Sequence, residues 1–454
     1  MRQDVTPAVH LIADEALGNT SYLVEVGDRM AIAVDPRRDV EEHLDLASRR
    51  GLEIAAALET HLHADFVSGS RELAARAGSE IVAAAGAGLS FPHRTVQAGD
   101  RTRFGQTSIE VVPTPGHTPS HVAYLMSVGE TRMVFSGGSL IVGGAARTDL
   151  AGAENTKDLA RAQYASLRRI TALPDDTALF PTHGGGSFCS TGGSRAPTST
   201  IGAERASNPL LLVEDEEAFV KAFLAGFGSY PGYFGSLGDL NRRGASLLSS
   251  FESVAELEGA RAHELVTRGA WLIDGRSVEQ WSEAHAEGSV SIEVRPAFAS
   301  WLGWVVPYGD AVVFVLEPGQ VAEATRLARL IGYDRLEGWV RFDAWRDAGL
   351  AVASVESVSA EEAVERTKGG TVLLDVRQHA EFAARRIPGA AHLELGDIIA
   401  GKTPDAAEVI TFCGHGERSA TAASLLAKRG VKVANLDGGT SAWRAAGLPF
   451  EQPS

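Results

Sequence analysis

The chain has 454 residues, 44% of them hydrophobic, and a formal net charge of −16. That length calls for roughly two to four globular domains with real cores, and the acidic balance excludes nucleic acid and anionic membrane surfaces as default partners. No stretch approaches the roughly 18 apolar residues of a membrane helix, and two cysteines, Cys189 and Cys413, make no disulfide framework and fit a reducing compartment.

The first twenty residues have no basic start followed by an apolar core, so they are no secretory signal, and the cytoplasm is the expected location. Short β-branched runs at 31–36 (AIAVDP), 109–117 (IEVVPTPGH) and 132–138 (RMVFSGG) predict strands, while 71–78 and 156–173 carry helical patterns. Strands mixed with helices in this way predict a layered α/β domain. Three histidine segments sit at strand ends. ETHLHADFVSGS (59–70) sets His61, His63 and Asp65 within five residues and has Phe66 where a fourth ligand is expected. PTPGHTPSH (113–121) supplies His117 and His121, and LFPTHGGGS (179–187) supplies His183. Imidazoles and a carboxylate on loops after strands are donors that converge on a transition metal. His121 is expected to be exposed. The stretch 192–209, rich in Gly, Ser, Thr and Pro, is expected to be a long loop without strand or helix.

The second half contains a repeat. WLIDGRSVEQW (271–281) parallels VLLDVRQHAEF (372–382), and FDAWRDAGLAV (342–352) parallels TSAWRAAGLPF (440–450). Each unit alternates strand and helix over roughly a hundred residues, which predicts two small α/β domains with mostly parallel sheets. The expected division is 1–254, 255–353 and 354–454.

EVITFCGHGERSATAASLLAKRG (408–430) carries the strongest chemistry. An apolar strand over 409–412 delivers Cys413 to the loop 414–418, and a helix is expected from about Ser419. Backbone N–H groups, a helix N-terminus and the cation of Arg418 all favour a thiolate there. Gly414 and Gly416 let the loop curl with its amides facing inward. CGHGERS resembles the active-site loop of rhodaneses, and LLDVRQHAEFAARRIPGAAHL (373–393) and NLDGGTSAWRAAGLP (435–449) are similar to that family as well. The resemblance implies a sulfurtransferase. Cys413 takes a sulfane sulfur as a persulfide, and Arg418 holds the anion. Gly414, His415, Gly416, Glu417 and Ser419 form the cradle, and Asp375 and Arg377 are a structural pair behind it. In the central repeat Cys413 aligns opposite Val315, with VLEPGQV in place of the cradle, so that unit resembles an inactive rhodanese-homology domain.

The histidine segments resemble the metallo-β-lactamase fold, an αββα sandwich with its metals at one edge. Together with ARTDL (146–150), PTHGGGSFCS (181–190), STIGAERASNP (199–209) and YPGYFGSLGDLNRRG (230–244), they are more closely similar to persulfide dioxygenases. The whole chain thus resembles a persulfide dioxygenase–rhodanese fusion of bacterial sulfide detoxification. The resemblance implies one ferrous iron on two histidines, His61 and His117, and a carboxylate, but Gly138 stands where the carboxylate belongs. His61, His63 and His117 are the expected donors for iron or Zn²⁺, with Asp65 or His183 rotating in as alternatives; an iron, a zinc or no metal at all are the outcomes left open. Arg147 is expected either to clamp a substrate carboxylate or to pair with Asp149. Cys189 is expected either to carry sulfur near the metal or to be a small buried side chain. The implied partners are small thiols, persulfides or thiosulfate, and self-association into a homo-oligomer accords with the fold. A complete dioxygenase–sulfurtransferase and a non-catalytic sulfur carrier or persulfide sensor remain the competing functions.

Overall fold

The computed structural model describes residues 7–452. The described residues divide into two compact units, 7–252 with 329–332, and 253–328 with 333–452.

The first unit holds two six-stranded sheets. One runs in sequence order through β1 (Val9–Asp14), β2 (Asn19–Gly27), β3 (Met30–Val34), β4 (Glu53–Leu58), β5 (Glu80–Ala84) and β6 (Arg94–Val96). Its first three strands are antiparallel, and from β3 onward the pairing is parallel. The helices Glu41–Arg50 and Ser70–Ala77 make two of the crossovers. The other sheet contains β7 (Arg101–Phe104), β8 (Thr107–Pro113), β9 (Val122–Val128), β10 (Thr131–Gly137), β12 (Ala178–Pro181) and β14 (Ser199–Thr200), while β11 (Gly144–Ala146) and β13 (Ser190–Gly192) pair in a separate two-stranded sheet. The order of the six-stranded sheet is β14-β12-β10-β9-β8-β7. Both faces of each sheet are covered, so strand residues are apolar on both sides. Tyr22, Val24, Ile32, Leu58, Val111, Tyr124 and Phe135 fill the space between the sheets. Leu23, Ala33, Val40 and Leu73 pack the helices onto the first sheet, and Val134, Leu167, Ile170 and Phe219 pack helices onto the second. The expected αββα sandwich is present.

The stretch 192–209 departs from expectation. It contains β14 and the helix Ile201–Ser207. Thr200 caps that helix by accepting the Ala203 N–H at 3.2 Å, and Ile201 and Glu204 are buried beneath it. One anchoring apolar residue and a good cap outweigh a loop-like composition.

Helix Glu41–Arg50 carries a buried imidazole, His43, with Nε2 3.2 Å from Ser21 Oγ and Nδ1 without a partner. Burial, then the nearby Arg37 charge, lowers its pKa to about 3. The unfolded chain takes up a proton below about pH 6.5, whereas the folded chain does not until about pH 3. The stability His43 contributes is therefore complete above the first value and drains away as pH falls toward the second. Urea unfolding of the wild-type chain is expected to lose about 2 kcal/mol between about pH 7 and about pH 5 relative to His43→Gln. Parallel pH profiles for the two proteins would contradict this.

The second unit holds two parallel sheets. One orders the strands Val290–Ser291, Trp271–Asp274, Val312–Val315 and Leu336–Val340; the other orders Glu356–Val358, Lys432–Leu436, Glu408–Phe412, Val372–Asp375 and Ala391–His392. The repeat is visible in detail. Asp274 binds Arg276 as Asp375 binds Arg377, each guanidinium also donating to a carbonyl eight residues on, Ala284 and Arg385. Trp345 and Trp443 each donate an indole N–H to a carbonyl six residues later. Sheet register corrects the alignment of the nucleophile. Asp274 pairs with Val315 and Asp375 with Phe412, so Leu316, not Val315, occupies the place of Cys413. Leucine is no nucleophile either, and Leu316 is fully buried.

Candidate functional sites

Cys413 follows the strand Glu408–Phe412 and precedes the helix Glu417–Ala427, which begins two residues before the expected start. Its thiol is buried. The sulfur accepts the Gly416 N–H at 3.2 Å and faces the Ser419 hydroxyl at 3.7 Å. The loop is held from behind, because Cys413 O accepts the Thr440 N–H at 2.8 Å and Gly414 O that of Ser441 at 3.1 Å. Gly439 makes this approach feasible: it has φ +54°, and a Cβ there would lie 2.4 Å from Cys413 O. Asp375 and Arg377, buried and mutually bonded at 2.6–3.1 Å, stand behind the loop as expected for fold support.

Arg418 is the loop's cation, and its partner was not legible in the sequence. Its guanidinium forms a two-pronged pair with Glu381, at 2.6 and 2.9 Å. Burial pushes the Glu381 carboxyl up, but hydrogen bonds and charge from Arg418 outweigh this and hold it below the ordinary range. Glu381 is itself fixed in the capping box of helix His379–Ala384. Glu417 lies 3.6 Å from Arg295, and His415 is exposed.

The histidine segments converge in the first unit. Asp35, at the end of β3, organises them: Oδ1 accepts the Thr60 N–H at 2.7 Å, and Oδ2 accepts the hydroxyls of Thr60 (2.6 Å) and Thr182. His61 and His183 directly follow these threonines. Nε2 of His61 and Nε2 of His183 lie 3.2 Å apart, close to the roughly 3.3 Å edge that two nitrogens make around one tetrahedral zinc. His117 joins them, and the donor atoms of His61, His117 and His183 all lie within 4.8 Å of one another. Two of the rings are hydrogen-bonded through their other nitrogen: His117 Nδ1 donates to Arg147 O at 2.6 Å and His61 Nδ1 meets Thr60 Oγ1 at 2.8 Å. Such anchoring sets the tautomer and leaves Nε2 as the lone-pair donor. His183 Nδ1 lies 3.4 Å from Asp65 Oδ2. His117 Nε2 is buried with no protein partner, and burial, then His183, keeps this ring neutral, with its pKa lowered to about 3. The residues present therefore fit a metal ion.

His63 does not share this set, which corrects the expected trio. Its Nε2 lies 3.1 Å from Glu59 and 3.3 Å from Asp35. Burial opposes its cation, but the two carboxylates outweigh burial and raise its pKa to about 10. An imidazolium offers no lone pair. Two other groupings, Asp35 with His61 and His63, and His63 with Asp65 and His183, are also close enough for an ion. We prefer the three-histidine set because Asp35 is saturated by hydroxyls and His63 is protonated. His121 is buried, not exposed as expected. It stacks on His61 with ring centroids 4.8 Å apart, bonds Thr114 Oγ1 through Nδ1 and accepts the Gly138 N–H through Nε2 at 3.0 Å, so it is no ligand.

Arg147 makes the ion pair rather than the clamp. It grips Asp149 at 2.7 and 2.8 Å, donates to the carbonyls of Phe188 and Gly228, and lies under the Tyr230 ring at 4.4 Å. Cys189 is fully buried, and burial, then Asp65, pushes its thiol well above the ordinary range, which makes it the small neutral side chain of the two expectations. A cavity of about 340 Å³, lined by His117, Leu62, Thr118, Phe234 and Arg242 among others, borders the histidine cluster.

Residues 15–183 match the model of the metallo-β-lactamase superfamily, and residues 359–446 that of the rhodanese-like domain. The chain is 32% identical over 224 residues to the hydroxyacylglutathione hydrolase of Rhizobium meliloti (strain 1021), covering 43% of this chain and 84% of that protein. It is 32% identical over 207 residues to the human mitochondrial persulfide dioxygenase ETHE1, covering 44% of this chain and 74% of that protein. A solved metallo-β-lactamase structure from Staphylococcus aureus subsp. aureus COL superposes with a TM-score of 0.67 at 28% identity, covering 74% of this chain and all of that one. With the two histidine-bearing sheets and the cysteine loop both in place, the chain belongs to the metallo-β-lactamase superfamily and carries a rhodanese-like domain behind it.

Proposed function

We propose that this chain is a rhodanese-type sulfurtransferase of sulfane-sulfur metabolism, working in a reducing cytoplasm on thiosulfate or a low-molecular-weight persulfide. The observation that carries the reading is the Cys413 sulfur set against the Gly416 N–H at 3.2 Å, at the head of a helix, with Arg418 on the same turn. The Cys413 thiolate attacks the outer sulfur of the donor. The donor S–S bond breaks, and sulfite or a thiolate leaves with the electron pair. Cys413 keeps the sulfur as a persulfide until an acceptor thiol or cyanide takes it. Loop amide and guanidinium stabilise the anion throughout. The division into 1–254, 255–353 and 354–454 assigns this chemistry to the last domain and a scaffolding role to the central one.

The convergence of three Nε2 atoms favours a second reading, in which the first domain adds persulfide dioxygenase chemistry with an altered ligand set. His61, His117 and His183 would hold the metal, which supplies a Lewis-acid or redox centre when bound. Arg147, locked to Asp149, shapes the surroundings and binds no substrate. Thiocyanate formation from thiosulfate and cyanide tests the first reading, and persulfide-dependent oxygen uptake on the same sample tests the second. Thiocyanate without oxygen uptake leaves a sulfurtransferase alone. Neither signal, with Cys413 still able to accept sulfur, marks a carrier or sensor.

A further inference from the structure

The geometry points to Gly138 being a built part of a three-histidine centre for one divalent transition cation, and not the scar of a lost carboxylate ligand. This goes beyond the sulfur-transfer reading and does not depend on it. A Cβ on residue 138 would lie 2.5 Å from His117 Cδ2 and 3.0 Å from the Ala146 Cβ. His117 cannot yield cheaply. Its Nδ1 is bonded to Arg147 O at 2.6 Å, and its main-chain N–H to Gln163 Oε1 at 3.1 Å. Nor can the backbone of Gly138, which donates to His121 Nε2 at 3.0 Å and accepts the Ala146 N–H at 2.9 Å. An aspartate at 138 and the observed seat of the His117 ring exclude one another. The glycine lets the imidazole occupy that volume, and His183 supplies the third donor in place of the carboxylate.

Asp35, Glu59 and Asp65 are buried around the cluster, while the three histidines offer the donor atoms that lie within 4.8 Å of one another. Imidazole nitrogens select the zinc, ferrous or cobaltous class and discriminate against magnesium and calcium.

The test strips the full-length protein with a chelator, reloads it with Zn²⁺, and measures stoichiometry and chelator competition, with the Co²⁺ absorption spectrum as a second readout. The wild-type chain is expected to hold one ion. His183→Ala and His117→Ala are expected to weaken Zn²⁺ binding at least about 100-fold, while His63→Gln keeps one ion per chain. Gly138→Asp is expected to weaken Zn²⁺ by about 10- to 100-fold although it adds a carboxylate, and Gly138→Ala, which adds only the Cβ, to shift binding the same way. Circular dichroism of each stripped variant identifies any that fails to fold, and His183→Gln then serves for the third ligand. Tighter Zn²⁺ binding by Gly138→Asp, unchanged binding by His183→Ala, or a wild-type chain that retains no Zn²⁺ would each overturn the inference.

Discussion

Cys413→Ser is expected to lower thiosulfate–cyanide turnover by about three orders of magnitude or more, while leaving the bound-metal content of the protein unchanged. A serine hydroxyl keeps the shape of the side chain and its approach to the Gly416 N–H. Its pKa lies far above that of a thiol, so no anion forms near neutral pH, and oxygen does not store a sulfane sulfur. A thousandfold loss corresponds to about 4 kcal/mol of transition-state stabilisation. The Gly416 N–H and Arg418 remain, so affinity for an anionic donor is expected to change far less than turnover. A residual rate within about tenfold of wild type would mean that another group carries the sulfur, and the chain contains one other thiol, Cys189. Its burial and raised pKa argue against that role.

Arg377→Ala is the second large effect, and it falls on stability. Asp375 is fully buried, and Arg377 bonds both of its carboxylate oxygens while donating to Arg385 O at 2.8 Å. Removing the guanidinium strands a carboxylate in a dry core, which costs about 3–5 kcal/mol; removing both charges together costs much less, because the desolvation of each disappears with it. Urea unfolding is expected to show that loss for Arg377→Ala and a clearly smaller one for Asp375→Leu with Arg377→Met. Arg276→Ala is expected to behave similarly, since the central repeat builds the same pair. That recurrence in a unit with no nucleophile assigns the pair to the fold and not to catalysis. The turnover of the still-folded fraction of Arg377→Ala should therefore stay near that of wild type. A variant of native stability with lost turnover would reverse the assignment.

What was legible in the sequence was mostly local. The Cys413 loop, the Asp375–Arg377 pair and the repeated tryptophans involve residues a few positions apart, where residue type and spacing determine the geometry. The layered α/β character followed from strands mixed with helices, and the αββα arrangement from the resemblance of the histidine segments to the metallo-β-lactamase fold. The histidine cluster was half legible. His61 and His117 stood out by motif, but His61 and His183 are 122 residues apart, and no spacing rule reports that their Nε2 atoms meet. His63 looked like a donor of the same cluster because it lies two residues from His61. Its partners Asp35 and Glu59 reach it through the ends of β3 and β4, contacts that exist only after the sheet forms. His121 looked exposed because a Pro-rich turn suggests surface, yet the turn folds inward to hydrogen-bond Gly138. Glu381 carried a signal that went unused: the central repeat has Gln280 at the matching capping position, so a carboxylate appears there only in the unit that owns the arginine. Residue counting along the repeat sets Val315 against Cys413, whereas strand register, fixed by the hydrogen-bond ladder, sets Leu316 there.

The most direct measurement is the mass of the Cys413 peptide after the intact protein is incubated with a sulfane-sulfur donor and then alkylated. The account predicts a gain of one sulfur atom on Cys413, removed by cyanide and absent from Cys189. A Cys413 peptide that stays unmodified while the donor is consumed would contradict it.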